Sequence, residues 1–211
     1  RAFVRRFSSL ARKPRAILHI GPPNSGKTHH ALNLLRQTDD TGWYLAPLRL
    51  LAQEAWEVMN SNGTPCNLST GEEKIPVEGA NITSATVEMF NPDQSSGIVV
   101  LDEGQLIADP DRGWAWTRAI VECTARELHI VAAPLAEPLL RQVLHAVEAP
   151  VEVRRYHRLA DIAVAKKPWK LAQLPRRTIL VAFSRKTVLR LKAELELLGR
   201  NVAVVYGSLT P

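Results

Sequence analysis

Apolar residues in this chain fall into short unbroken blocks, separated by longer stretches where they recur every three or four positions. The blocks at Ala16–Ile20, Trp43–Ala46, Asn81–Thr83, Ile98–Leu101 and Leu128–Ala132 are too short for helices and predict buried strands. Between them, Leu48, Leu51, Ala52, Ala55, Val58 and Met59, and then Trp116, Ala119, Ile120 and Cys123, keep the spacing of one helical face. Strands alternating with helices predict an α/β fold, a parallel sheet with helices on both faces. Ligand sites in such sheets form beyond the carboxyl ends of the strands.

The pattern changes after Pro150. The segment Val151–His157 leads into the Lys/Pro/Trp-rich stretch Lys166–Lys170. A strand is then predicted at Thr178–Phe183, a helix from Lys186 to Leu198 closed by Gly199, and a strand at Val202–Tyr206, with glycine in its usual place past a helix end. This reads as the opening β-α-β of a second α/β domain, shorter than such a domain needs. The expected organisation is a basic arm over 1–15, a first domain over 16–152, and a linker with an incomplete second domain over 153–211.

Composition changes this picture modestly. The chain has 211 residues, a formal net charge of +6 and an isoelectric point near 9.6. That favours polyanionic partners, although an ordinary basic enzyme has the same balance. Arg1, Arg5, Arg6, Arg12, Lys13 and Arg15 crowd the start with no acid among them. The composition resembles an organellar transit peptide, and equally a solvated arm or a packed helix. Cys66 and Cys123 form no C-x-x-C pair, so neither a zinc site nor a disulfide framework is implied and a reducing compartment fits. No apolar run approaches the ~18 residues of a membrane span.

Chemistry enters with Gly21, Pro22, Pro23, Asn24, Ser25, Gly26, Lys27 and Thr28, which fit G-x-x-x-x-G-K-[ST]. Glycines let the backbone turn its N–H groups onto phosphate oxygens, the lysine reaches the outer phosphates, and the threonine hydroxyl can ligate Mg²⁺. Glycine-rich turns also close ordinary strand–helix junctions, so context decides. Here a predicted strand precedes the loop, a helix follows it, and a second motif lies downstream. That motif is Val99-Val-Leu-Asp-Glu-Gly-Gln105. Asp102 can hold Mg²⁺ opposite Thr28, and Glu103 can orient the attacking water. Adjacent acids at a strand end are otherwise often a solvated turn.

Other segments leave two readings open. Arg49, at the start of a helix, could grip a nucleic-acid phosphate or lie solvated on a first turn. Thr70–Glu73 and Thr83–Glu88 could contact phosphate or form ordinary caps. Trp114 and Trp116 could stack on bases. However, residues two apart on a helix face away from each other, so one ring is expected in the core. The six histidines have no metal-like spacing, and His29 and His30 read as helix surface.

The set of motifs, in order, resembles the superfamily-two RNA helicases of the mitochondrial degradosome type, the Suv-three family, which also has bacterial members. The match is carried by Gly21–Thr28, Ala46–Glu54, Thr70–Glu73, Thr86–Met89, Asp102–Gln105, Arg112–Arg118, Phe183–Arg185 and Val205–Leu209. The resemblance implies two RecA-like domains with ATP and Mg²⁺ between them and RNA across the top, with DNA also admitted. It implies ATP-driven 3′-to-5′ unwinding in RNA turnover, an exoribonuclease partner, and a bacterial cytoplasm or mitochondrial matrix. By the same resemblance, Lys27, Asp102, Glu103 and Gln105 are catalytic, with Gln105 coupling hydrolysis to the nucleic-acid side. Pro47, Leu48, Arg49, Thr70, Gly71 and Thr86 face RNA in the first domain, and Ser184, Arg185, Gly207 and Ser208 in the second.

The chain also departs from that family. Position 104 is Gly where the family usually has Ile, and Ala133-Pro-Leu-Ala136 stands where it usually has Gly-Glu-Pro-Ala. The later motifs, including arginine fingers worth roughly 10³–10⁵ in rate in related NTPases, are not in this sequence. The chain is therefore expected to bind nucleotide better than it turns it over. Two other readings remain. A thymidine-kinase-type deoxynucleoside kinase shares the phosphate loop and the Asp-Glu-Gly-Gln string but carries a cysteine-pair zinc lasso. A non-hydrolysing RNA- or partner-binding module would also lack the later motifs.

Overall fold

A computed structural model describes residues 13–94, 96–159 and 162–206. Most of the basic arm, with Gly207 and Ser208, lies outside the described residues. The chain forms two units, 1–161 and 162–211.

The first unit is built on eight strands: β1 Arg15–Ile20, β2 Gly42–Ala46, β3 Cys66–Ser69, β4 Lys74–Ile75, β5 Ile82–Thr86, β6 Ile98–Leu101, β7 Glu127–Ala132 and β8 Val151–Arg155. Their order across the sheet is β4-β3-β5-β2-β6-β7-β1-β8. Among the described residues the β3–β4 pair is antiparallel and every other pair is parallel. The unit's α-helices among the described residues are α1 Lys27–Arg36, α2 Arg49–Ser61, α3 Gly113–Val121 and α4 Glu137–Ala146.

The unbroken apolar blocks are explained by burial on both faces. Alternate residues of the central strands β2, β6 and β7 enter different cores. Leu18, Leu45, Leu101 and Ile130 pack with Trp116, Ile120, Leu140 and Leu144 of α3 and α4. Tyr44, Val100 and Val131 pack with Leu35, Ala52 and Met59 of α1 and α2 on the other face. The parallel α/β sheet predicted from the pattern is thus the sheet observed, and its carboxyl edge carries the motif-bearing loops.

Several elements differ from the sequence-based expectation. β5 runs to Thr86, and Arg15 belongs to β1 rather than to the arm, pairing in register with Glu127. β8 joins this sheet beside β1, with Ala16 opposite Val151. Its alternating valines and charges suit an edge strand but read as linker.

In the second unit, α5 spans Arg185–Leu197 after a 3₁₀ turn at Leu171–Gln173. The Ser184 side chain caps α5 by accepting from the Thr187 N–H, and Gly199 follows it at φ 74°. The strands expected at Thr178–Phe183 and Val202–Tyr206 are not formed among the described residues. Neither has a ladder partner there, and Ile179, Val181, Phe183 and Val205 are exposed. Apolar alternation defines a strand only where a neighbour accepts its hydrogen bonds.

Candidate nucleotide and nucleic-acid site

The phosphate loop joins β1 to α1. Its first amide, on Gly21, donates to the Ala132 carbonyl at 3.2 Å, tying the loop to the end of β7. A Cβ at position 21 would lie 2.8 Å from Tyr156 Cβ and 2.9 Å from Ser25 Oγ, so only glycine fits. Asn24 and Gly26 hold left-handed φ values of 58° and 77°. Gly26 caps α1 without any side-chain hydrogen bond, which leaves the first-turn N–H groups of α1 to meet an anion. The Ser25 hydroxyl is buried without a hydrogen-bond partner, and the Lys27 ammonium donates to the Pro22 carbonyl at 3.0 Å. A buried unpaired hydroxyl beside uncapped amides is a cradle that a phosphate group fits.

The chain leaving β8 lies against this loop. Tyr156 N–H donates to the Ile20 carbonyl at 2.8 Å, and Leu159 N–H to the Asn24 carbonyl at 3.1 Å. Beneath it runs a polar chain. The Tyr156 hydroxyl is 2.7 Å from His19 Nδ1, His19 Nε2 is 2.9 Å from His129 Nδ1, and His129 Nε2 is 3.1 Å from the Glu127 carboxylate. The carboxylate at its end accepts from His129, and this fixes the other tautomers. His129 Nδ1 accepts from His19, and His19 Nδ1 accepts from the tyrosine. Burial, then the neighbouring His129, pushes His19 down to about 3. Burial also lowers His129. Both shifts favour the neutral imidazoles near pH 7.

Asp102 follows β6 and is buried. Its carboxylate accepts from the Tyr44 hydroxyl at 2.7 Å, the Glu103 N–H at 2.8 Å and the Thr28 hydroxyl at 3.4 Å. Burial raises its pKa, while the Tyr44 and Glu103 hydrogen bonds, the Lys27 charge and the Thr28 hydroxyl draw it back. Burial, with Asp102 adding to it, drives the Tyr44 phenol well above its usual range. Lys27, Thr28 and Asp102 therefore converge. A hydroxyl and a carboxylate meeting at the phosphate loop are hard oxygen donors suited to Mg²⁺.

Glu103 turns the chain at a left-handed φ of 49°. Burial and the adjacent Asp102 raise its pKa. The Gln105 amide donates to the Glu103 carboxylate and accepts from the Ala133 N–H at 3.0 Å. Despite the unusual Ala133–Ala136 sequence, that loop is therefore linked to Glu103. Position 104 also has a local cause. A Cβ there would meet Ile130 Cγ2 at 2.7 Å and Ala132 Cβ at 3.2 Å.

The first-unit residues expected to face RNA share the carboxyl edge but differ in exposure. Leu48, Arg49 and Gly71 are exposed, whereas Pro47, Thr70 and Thr86 are buried. Arg49 pairs with Glu72, and the Thr70 hydroxyl accepts from the Glu73 N–H at 3.0 Å. In the second unit Ser184 and Arg185 are exposed, and the Arg185 guanidinium lies 4.9 Å from the Tyr206 ring centre. Trp116 is fully buried and Trp114 is exposed, as their spacing requires. Both cysteines are free and buried, their thiols pushed up to about 12 by burial. Sequence reasoning did not single out Tyr44, His19 or Tyr156, and it placed Arg112 inside the Arg112–Arg118 motif without giving it a role. Only a Tyr one strand away from the acids carried any signal.

The architecture belongs to the RecA-like helicase class. A Saccharomyces cerevisiae Dbp5 variant solved with Nup159, Gle1, IP6 and ADP matches it with a TM-score of 0.59 and 18% identity, covering 99% of this chain and 68% of that one. The DEXQ-box helicase domain of Suv3 matches residues 5–156, and the chain belongs to that family. The mitochondrial ATP-dependent RNA helicase SUV3 of Saccharomyces paradoxus is 43% identical over 96% of this chain and 29% of its own length. The human mitochondrial ATP-dependent RNA helicase SUPV3L1 is 39% identical over 95% and 26%. The mitochondrial DExH16 of Arabidopsis thaliana is 40% identical over 95% and 35%. The chain thus spans about a quarter to a third of these curated relatives. Family membership sets aside the deoxynucleoside-kinase reading. Among the described residues no helix is long and apolar enough to cross a membrane.

Proposed function

We propose that this chain supplies the nucleotide-binding domain, and the start of a second RecA-like domain, of an ATP-dependent RNA helicase that unwinds 3′-to-5′ in RNA turnover. The observation that carries this is the meeting of Thr28 and Asp102 at 3.4 Å beside Lys27. Lys27 would leave the Pro22 carbonyl to hold the outer phosphates of ATP. Thr28 and Asp102 would hold Mg²⁺, which when bound neutralises charge developing on the transferred phosphoryl group. Glu103 would orient water, held by Gln105 against the loop after β7. Pro47, Leu48, Arg49, Thr70, Gly71 and Thr86 would face RNA in the first unit, the buried members by shaping the loops rather than by side-chain contact, and Ser184, Arg185, Gly207 and Ser208 would contact RNA in the second. The relatives' names support a mitochondrial location; within it the proposed compartment is the matrix, where an exoribonuclease would consume the unwound strand.

The test is ATP hydrolysis with and without RNA, in this chain and in one extended to the relatives' length. RNA-stimulated hydrolysis is expected only in the longer protein, with Lys27→Ala reducing it to background. Hydrolysis unchanged in that variant would refute the assignment. A long chain that binds RNA without hydrolysing ATP would instead favour a binding module.

A further inference from the structure

Arg112 sits just before α3, held there by its own N–H, which donates to the Asp109 carboxylate at 2.8 Å. Its side chain joins two loops to the face of α3. Nη2 donates to the Pro47 carbonyl at 2.7 Å, directly after β2. Nη2 and Nε donate to the Glu88 carboxylate at 2.7 and 3.1 Å, in the 3₁₀ turn that follows β5. The guanidinium carbon stands 5.6 Å from the centre of the Trp116 ring, and the buried Trp116 Nε1–H donates to the backbone carbonyl of Asp102 at 3.0 Å. An unbroken path of directional contacts thus runs from the ends of β2 and β5 to the main chain of the acidic loop after β6. A planar fork that also stacks is a task for arginine and not for lysine.

We propose that Arg112 is the positioning residue through which RNA bound at the loops after β2 and β5 acts on the acidic loop at Asp102. The proposal rests on the helicase reading above. RNA seated on Pro47–Arg49 and beside Thr86 fixes both acceptors of the guanidinium. The guanidinium then holds Trp116, whose indole sets the Asp102 carbonyl. Without RNA those acceptors are free to shift, and the acids are less well placed.

The test uses the whole protein, poly(U) RNA and ATP hydrolysis. Arg112→Lys keeps the charge but loses the fork and the stacking. Glu88→Gln weakens the same junction from the other side and serves if Arg112→Lys folds poorly. Both variants should stay folded and keep the RNA-free rate of the parent, with at most a small drop in melting temperature, while the factor by which poly(U) stimulates hydrolysis falls about fivefold or more. Adding Trp116→Phe to Arg112→Lys should cost no further stimulation, because both cut one path. A stimulation factor unchanged in both single variants, or an RNA-free rate that falls in proportion to the stimulated one, overturns the proposal and leaves the helicase reading standing. A parent protein that poly(U) does not stimulate overturns the helicase reading itself, and this proposal with it.

Discussion

At the scale of residues, the site depends on groups that are buried and yet polar. Asp102 stays usable because three donors converge on it. His19 and His129 are tolerated because Glu127 closes their chain and both rings remain neutral. That neutrality has a pH consequence. His19 would titrate near 6.5 when unfolded but only near 3 when folded, so between those values the unfolded chain binds the extra proton. Stability is full above about pH 6.5 and falls as the solution is acidified towards 3, by up to about 1.4 kcal/mol per pH unit for this group. His19→Gln should flatten the dependence of urea midpoint on pH across that window. An equal slope in the variant would place the proton uptake elsewhere.

At the scale of elements, α3 and the 3₁₀ turn at Gly104–Ala108 form one packed unit that carries Gln105. Gly113 makes their contact possible, since a Cβ there would lie 2.4 Å from the Ile107 carbonyl oxygen. Gly113→Ala should therefore destabilise the fold by about 1–3 kcal/mol, read as a lower thermal midpoint. Which elements the sequence disclosed follows from how each is stabilised. β1, β2, β6 and β7 were legible because both faces are buried, which forces unbroken apolar runs. β3 and β4 were not, being four and two residues long and held by a hairpin turn at Thr70. α4 was also missed, although Pro138 in its first turn and the Leu140/Leu144 spacing were a usable signal. The phosphate loop and acids were legible because phosphate chemistry demands those residue types. The contacts of Arg112, and Tyr156 altogether, were not, because their partners are distant in sequence.

At the scale of the whole molecule, the two units are joined through a stretch where residues 162–170 are all exposed. Brief trypsin treatment should cut there first among the described residues, at Lys166 or Lys170 (the bond after Lys167 precedes Pro168 and resists trypsin), and mass spectrometry would give the positions. First cuts inside the eight-stranded sheet would contradict that division. The sheet also constrains the turn it carries. A Cβ at position 104 would lie 2.7 Å from Ile130 Cγ2 and 3.2 Å from Ala132 Cβ, so a larger residue there forces Ile130 to move. Bulk at 104 and bulk on β7 therefore compete for one space, and a change at either site alters what the other tolerates.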